Sequence, residues 1–280
     1  MSMPEDRYVR VGEAKTRYWA EGAGGSSVIL IHGIGGYVEH WLPSFGSLAE
    51  QHHVYALDML GHGRTDKPPD ASYEIADLAR FVRDFMEALG IERAAVVGHS
   101  LGGAIATRLA LTYPSAVSKL VLVASAGFGK EVCMELRLCT TPVVGEALTR
   151  PSRSASAQNL KMCVHDQTLV TDESIEFDFE MASLPGAQRS FLRTLRRCGG
   201  LLSGQSKNMC GPNLDGIGSM DVPVMVVWGR QDKVIPVEHA EVAATGIQNV
   251  RVEIFDQCGH TPMLEHPEAF NEVLLEFLAD

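Results

Sequence analysis

Six stretches of the chain are almost wholly apolar and rich in β-branched residues: "SVILIH" (27–32), "HVYALD" (53–58), "AAVVGH" (94–99), "KLVLVAS" (119–125), "PVMVVWG" (223–229) and "VRVEIF" (250–255). A strand with one wet face alternates polar and apolar residues. Unbroken apolar runs belong to strands covered on both faces, as in a parallel sheet between two layers of helices. Two earlier runs, "YVRV" (8–11) and "TRYWA" (16–20), alternate more and flank a short polar turn, Gly12 to Lys15. They read as an antiparallel hairpin at the edge of the sheet.

Helical patterns lie between the strands. In "DLARFVRDFMEALG", Leu78, Phe81, Val82, Phe85 and Leu89 fall on one helix face, with Asp77 as a cap at the start and Gly90 at the end. The closing "HPEAFNEVLLEFLAD" places Pro267 in a first turn and Phe270, Val273, Leu274, Phe277 and Leu278 in one stripe. Only the region from 129 to 218 breaks the alternation. It holds helical pieces such as "AQRSFLRTLRRC", no buried strand, and a return rich in Gly, Ser, Asn and Pro, "GGLLSGQSKNMCGPNLDGIGS". The expected class is α/β: an eight-stranded, mostly parallel sheet flanked by helices, a core of 1–128 and 219–280, and a helical insertion at 129–218 after the sixth strand.

Charge narrows the partners. The formal net charge of the 280 residues is -11, with a pI near 5.4. Nucleic-acid binding needs clustered Lys and Arg, and anionic membrane surfaces attract the same, so both are disfavoured. The N-terminal "MSMPEDRYVR" has no apolar signal core, and no apolar run is long enough for a membrane-spanning helix. Cysteines at 133, 139, 163, 198, 210 and 258 form no CxxC pair and no metal-like spacing with His. Together these features point to a cytoplasmic protein with buried thiols, no bound metal and no nucleic-acid partner. Homo-oligomerisation is left open.

The stretch that carries chemistry is "VVGHSLGG" (96–103), which fits G-x-S-x-G between a strand and a helix. Such a serine sits on a sharp strained turn. Gly98 and Gly102 remove side chains that would clash there, and the helix N-terminus faces the reacting centre. A serine hydroxyl needs a base, and the base needs an orienting acid. In this architecture the expected chain order is Ser, Asp, His. "WGRQDKVIP" puts Asp232 after strand seven, and "FDQCGHTPMLEHP" puts His260 after strand eight. Both lie at strand C-terminal ends, where sites form in α/β sheets.

Competing residues read as structural. Asp256 lies too close to strand eight to reach behind the imidazole, His266 marks a helix start, and Asp58 caps the tight "MLGHGRT" turn. His32, His62 and His99 organise backbone in their loops. "VASAGFG", at the end of strand six, offers no acid. Two backbone N–H groups are candidates for an oxyanion hole: Leu101, after the serine, and Ile34, after His32-Gly33, where Gly33 permits close approach.

These motifs, "HGIGG", "LDMLGHGRT", "VGHSLGG", "VVWGRQDKVIP" and "CGHTPMLEHPEAF", resemble the α/β-hydrolase superfamily in order and spacing. The resemblance covers nearly the whole chain outside the insertion and implies a helical cap after strand six. Ser100 separates the chain from haloalkane dehalogenases and epoxide hydrolases, which use an aspartate. The stretch "HDQTLVTDESIEFDFEMA" is similar to hydrolases of meta-cleavage products, which break C–C bonds in diketo acids. Those enzymes carry Asn before the nucleophile and a cap Arg for the substrate carboxylate, whereas here His99 precedes Ser100 and "EFDFEMA" has no Arg. The resemblance therefore implies a carboxylesterase acting on a small-molecule ester without metal or organic cofactor. A C–C hydrolase and a slow-turnover ligand receptor on the same fold are the alternatives. Arg189, Arg193, Arg196 and Arg197 read as a solvated helix face, opposite Phe191, Leu192 and Leu195. Met134, Met162, Met181, Phe177 and Phe179 are candidates to line an acyl pocket or to form cap core.

Overall fold

Every long apolar run forms a strand. The strands are β1 (Arg7–Val11), β2 (Ala14–Glu21), β3 (Ser27–Ile31), β4 (His53–Leu57), β5 (Ala94–His99), β6 (Val117–Val123), β7 (Val224–Gly229) and β8 (Arg251–Phe255). They build one sheet in the order β1-β2-β4-β3-β5-β6-β7-β8. β2 runs antiparallel to β1 and β4, and all other neighbours are parallel. The computed structural model describes residues 3–206, 216–218, 220–248 and 250–279. Cys210 and much of the Gly- and Ser-rich return, which close the insertion expected to end at 218, lie outside the described residues.

The apolar runs follow from a core on each side of the sheet. Successive side chains of a strand point to opposite faces. Ile29 and Ile31 pack with Val96, Leu120, Leu122 and Trp228 on one face; Val28 and Leu30 pack with Val97, Val121 and Val123 on the other. Helices α2 (Ile75–Ala88) and α3 (Leu101–Thr112) cover the first face, through Phe81, Val82, Phe85, Ile105 and Leu109. The second face is covered by α1 (Leu42–Ala49) and the last helix, Pro267–Ala279, through Phe45, Leu48, Phe270 and Leu274. Each such side chain contributes about 1.5–3 kcal/mol by leaving water. β8 departs from expectation. As an edge strand it is covered less completely, and Val252 is exposed.

Two local expectations need correction. The β1–β2 turn is only Gly12–Glu13, since Lys15 already pairs with Arg10. Asp77 lies inside the first turn of α2 rather than at its cap; its carboxylate accepts from Ser72 and Arg80. Gly90 follows the helix with φ +70°, a left-handed conformation that glycine tolerates.

Between β6 and β7 lie α4 (Met134–Cys139), α5 (Val144–Leu148), α6 (Arg153–Cys163), α7 (Asp172–Ser183) and α8 (Ala187–Cys198). Side chains start two of them: Ser152 accepts from Ala155 N–H (3.1 Å), and Thr171 and Ser174 form a reciprocal capping box. The insertion is not free of strand: Gly199–Gly200 pairs with Gly204–Gln205 in a small antiparallel ladder. The α8 arginines are not a simple solvated face either. Arg196 binds Glu146 (2.8 Å) and the Thr140 carbonyl, Arg189 reaches the Lys67 carbonyl (3.1 Å), and Arg197 pairs with Glu74 (3.4 Å). They tie α8 to its neighbours. After β7 and β8 come α9 (Glu238–Gly246), α10 (Pro262–Glu265) and α11 (Pro267–Ala279). No helix among the described residues is long and apolar enough to cross a membrane.

Candidate active site

β5 ends at His99, and Ser100 turns the chain into α3 with φ 54° and ψ -118°. A non-glycine residue in that region is strained, and the turn is held from both sides. Ser100 N–H donates to the Val123 carbonyl (2.9 Å), and its own carbonyl accepts from Gly103 and Ala126 (3.0 Å each). The flanking glycines are required by close approach. A Cβ on Gly98 would run into the Gly102 carbonyl, and one on Gly102 into the Ile31 carbonyl; one on Gly33 would sit 3.0 Å from Ser100 Cβ. Gly102→Ala is therefore expected to destabilise the fold by about 1–3 kcal/mol, the usual cost of overpacking. Urea denaturation measures it, and an unchanged midpoint would contradict the close packing.

Asp232 lies in the turn after β7. Its Oδ1 accepts the N–H groups of Val234 (2.8 Å) and Ile235 (3.0 Å), and its Oδ2 accepts from His260 Nδ1 (2.7 Å). Trp228 steadies this turn by donating to the Ile235 carbonyl (3.0 Å). The Asp232 side chain is fully buried and His260 nearly so. With Nδ1 as donor to the carboxylate, Nε2 keeps the lone pair a general base needs. The Ser100 hydroxyl makes no hydrogen bond to His260 among the described residues; such contacts often tighten only when substrate binds. The two still lie in adjoining segments, since His99 Nε2 donates to the His260 carbonyl (2.8 Å).

Several supports were not legible in the sequence. His260 N–H donates to the carbonyl of Cys163, the last residue of α6 (2.7 Å). Glu265 accepts from Gly259 N–H (2.7 Å) and, beyond α6, from His165 N–H (2.6 Å). Gln231 Oε1 accepts from Cys258 N–H (3.0 Å). The loop bearing His260 is thus pinned to the inserted helices. Nothing in the local pattern signals these contacts, because all but the Glu265–Gly259 bond join distant segments.

The loop after β3 is braced similarly. His32 Nδ1 donates to the Gly33 carbonyl (2.7 Å), while its Nε2 accepts from Met59 N–H (3.0 Å). Asp58 accepts N–H groups from Val38 (2.8 Å) and Arg64 (2.7 Å), which includes the turn role expected of it. Arg17, also missed, is buried beside Asp58, Glu39 and Asp6. Asp256 pairs with Arg230 on the surface, and the His266 ring contacts the Gln257 carbonyl between two helices. Neither bonds to the His260 ring among the described residues.

Ile34 and Leu101 line, with Ser100, a small cavity of about 60 Å³ whose walls are almost wholly apolar. Their N–H groups have no hydrogen-bond partner among the described residues. Leu136 of α4 also borders a second, larger cavity of about 420 Å³ among the inserted helices. Met162 and Met181 line the larger one, Met134 is exposed, and Phe177 packs edge-on against Tyr37. Burial pushes the Cys133 thiol up to about 11 and that of Cys163 up to about 12, so neither competes as a thiolate nucleophile.

Burial also holds histidines neutral. His62 is lowered to about 4, chiefly by desolvation, and His32 and His99 lie well below the usual value for the same first cause. The unfolded chain takes up the His62 proton near pH 6.5, whereas the folded protein does not until near pH 4. Stability is therefore fully present above pH 6.5 and is lost as pH falls towards 4, by at most about 3 kcal/mol for His62. Urea denaturation at pH 7.5 and 5.0 is expected to show this loss, and His62→Asn to reduce it. An identical pH dependence in that variant would remove His62 as a cause.

A family model described as the alpha/beta hydrolase fold matches residues 26–145 and 165–267. The chain belongs to this family and is an α/β hydrolase. It is 32% identical over 281 residues to 2-hydroxy-6-oxo-6-(2'-aminophenyl)hexa-2,4-dienoic acid hydrolase of Metapseudomonas resinovorans, covering 98% of this chain and 91% of that one. A solved meta-cleavage product hydrolase from Pseudomonas fluorescens IP01 superposes with a TM-score of 0.85 at 28% identity, over 98% of this chain and 97% of the other. A solved membrane phospholipase A is similar too, with a TM-score of 0.83 at 26% identity, covering 98% and 86%.

Proposed function

We propose that the chain is a serine hydrolase that cleaves a small carboxylic ester, with residues 129–218 forming a cap over a core of 1–128 and 219–280. The supporting observation is the buried Asp232–His260 bond of 2.7 Å beside a serine held at φ 54°. In this reading Ser100 Oγ bonds to the carbonyl carbon while its proton passes to His260 Nε2. Charge develops on the carbonyl oxygen, facing the N–H groups of Ile34 and Leu101. Collapse expels the alcohol, which takes the proton from His260. Water, deprotonated by His260, then attacks the acyl-enzyme, and the acid leaves as the Ser100 hydroxyl is restored. Asp232 orients the ring and stabilises the imidazolium. His32, Gly33, Gly98, His99 and Gly102 shape the loops that carry these groups.

The same machinery could act on a C–C bond, and the names of the similar hydrolases favour that second reading. The ester reading is supported by His99, whose ring is committed to the His260 carbonyl (2.8 Å) in the position where the C–C enzymes carry Asn. A fluorophosphonate should label Ser100. Short p-nitrophenyl esters should then be turned over faster than a carboxylate-bearing dienol substrate. Faster cleavage of the dienol acid would establish the C–C reading, and labelling of another residue would overturn the site.

A further inference from the structure

The larger cavity is mostly walled by apolar groups, among them Leu136, Met162, Met181 and Phe191, with one carboxylate, Asp178 of α7, on its half-buried wall. Asp178 forms no ion pair with any Lys or Arg among the described residues; its hydrogen-bond partner is the buried Ser156 of α6. The cavity's other two charged lining residues, Glu135 and Arg150, are exposed. Burial raises the Asp178 carboxyl above its ordinary range, as expected of an acid lacking a counter-ion. Its charge also bears on Tyr37, at the end of the oxyanion loop, and on Cys163, whose carbonyl holds His260 N–H. Asp178 thus stands close to the loops that carry the reaction, in a chamber sharing Leu136 with the one that contains Ser100.

We propose that this chamber is the subsite for a positively charged nitrogen on the substrate, bound by Asp178 with the surrounding apolar walls holding its carbon substituents. The inference rests on the hydrolase reading above. A bound ammonium would give the carboxylate the counter-charge it lacks. A substrate carboxylate beside Asp178 would meet a like charge that no Lys or Arg among the described residues pairs with. The small cavity admits a short acyl group, which leaves the alcohol portion to the larger one. The recognised class is then an ester of a short acid with an amine-bearing alcohol, of opposite charge to the dienoic acid in the relative's name.

Three acetates of similar shape test this. They are 2-(dimethylamino)ethyl acetate (protonated at pH 7), its uncharged isostere 3-methylbutyl acetate, and 3-acetoxypropanoate, which carries a carboxylate. The expected kcat/KM is about tenfold or more higher for the ammonium ester than for the isostere, carried in KM, as for one charge-assisted contact. The carboxylate ester is expected to be the poorest. In Asp178→Asn the ammonium preference should fall to within about twofold of unity, and Asp178→Glu should restore it. No ammonium preference in the wild-type protein, or one that survives Asp178→Asn, would overturn the subsite. If no ester is turned over, thermal-shift titration with the ammonium ester and its isostere still decides. Preferential stabilisation by the ammonium ester in the wild-type protein but not in Asp178→Asn supports the subsite, and equal shifts overturn it. Absence of both turnover and fluorophosphonate labelling counts against the hydrolase reading alone.

Discussion

Ser100→Ala should lose about 10⁶-fold in kcat on p-nitrophenyl acetate while unfolding at the same temperature as the wild-type protein. The size follows from removing the one atom proposed to bond to the acyl carbon: where nucleophile and base act as a unit, loss of either removes nearly all of their joint effect. The structural half of the expectation is as specific. The Ser100 hydroxyl makes no hydrogen bond among the described residues, so alanine leaves no partner unsatisfied. The strain at φ 54° is a backbone property that serine and alanine share, and the bonds to Val123, Gly103 and Ala126 are all main-chain. Steady-state kinetics with a thermal melt check both halves. Turnover within tenfold of wild type would end the assignment of Ser100.

The second large effect is at Asp232. Asp232→Asn should cost about 10⁴-fold in kcat with little change in KM, because the imidazole is trapped in the wrong tautomer. The carboxamide oxygen can still accept from Val234 and Ile235 (2.8 and 3.0 Å). Its NH₂ then faces His260 Nδ1, where the carboxylate now accepts at 2.7 Å. The ring must offer a lone pair at Nδ1, so the proton moves to Nε2, the atom that has to receive the serine proton. Asp256→Asn serves as the control: it only loosens a surface pair with Arg230 and should leave kcat unchanged. A loss at Asp232 of less than tenfold, or a larger one at Asp256, would reassign the acid.

Much of this site was legible from order alone. Six nearly unbroken apolar runs imply a sheet covered on both faces. G-x-S-x-G between a run and a helix, then Asp and His after the last two runs, place three candidate catalytic side chains at the ends of strands. Local chemistry determines such features: strand alternation, helix periodicity and the side chains a tight turn can hold. What escaped was whatever depends on segments meeting across the fold. Arg17 reads as one residue of an alternating strand, yet it lies buried against Asp6, Glu39 and Asp58. Glu265, just before the residue read as a helix start, carries no local signal, yet it ties the His260 loop to the inserted helices. The α8 arginines have the periodicity of a wet face, which cannot register that Glu146 and the Lys67 carbonyl wait beside them.

The amino-acid sequence by itself determined the sheet, the strained serine turn and the chain order of the proposed nucleophile, acid and base. Each rests on short-range sterics or on the two-residue and 3.6-residue periods of buried chains. Only the tertiary structure set the 2.7 Å contact between Asp232 and the imidazole, because it joins residues 28 positions apart across two neighbouring strands. It alone also set Asp178 in the wall of a largely apolar chamber, since a cavity is bounded by side chains from several helices and exists only once those helices pack.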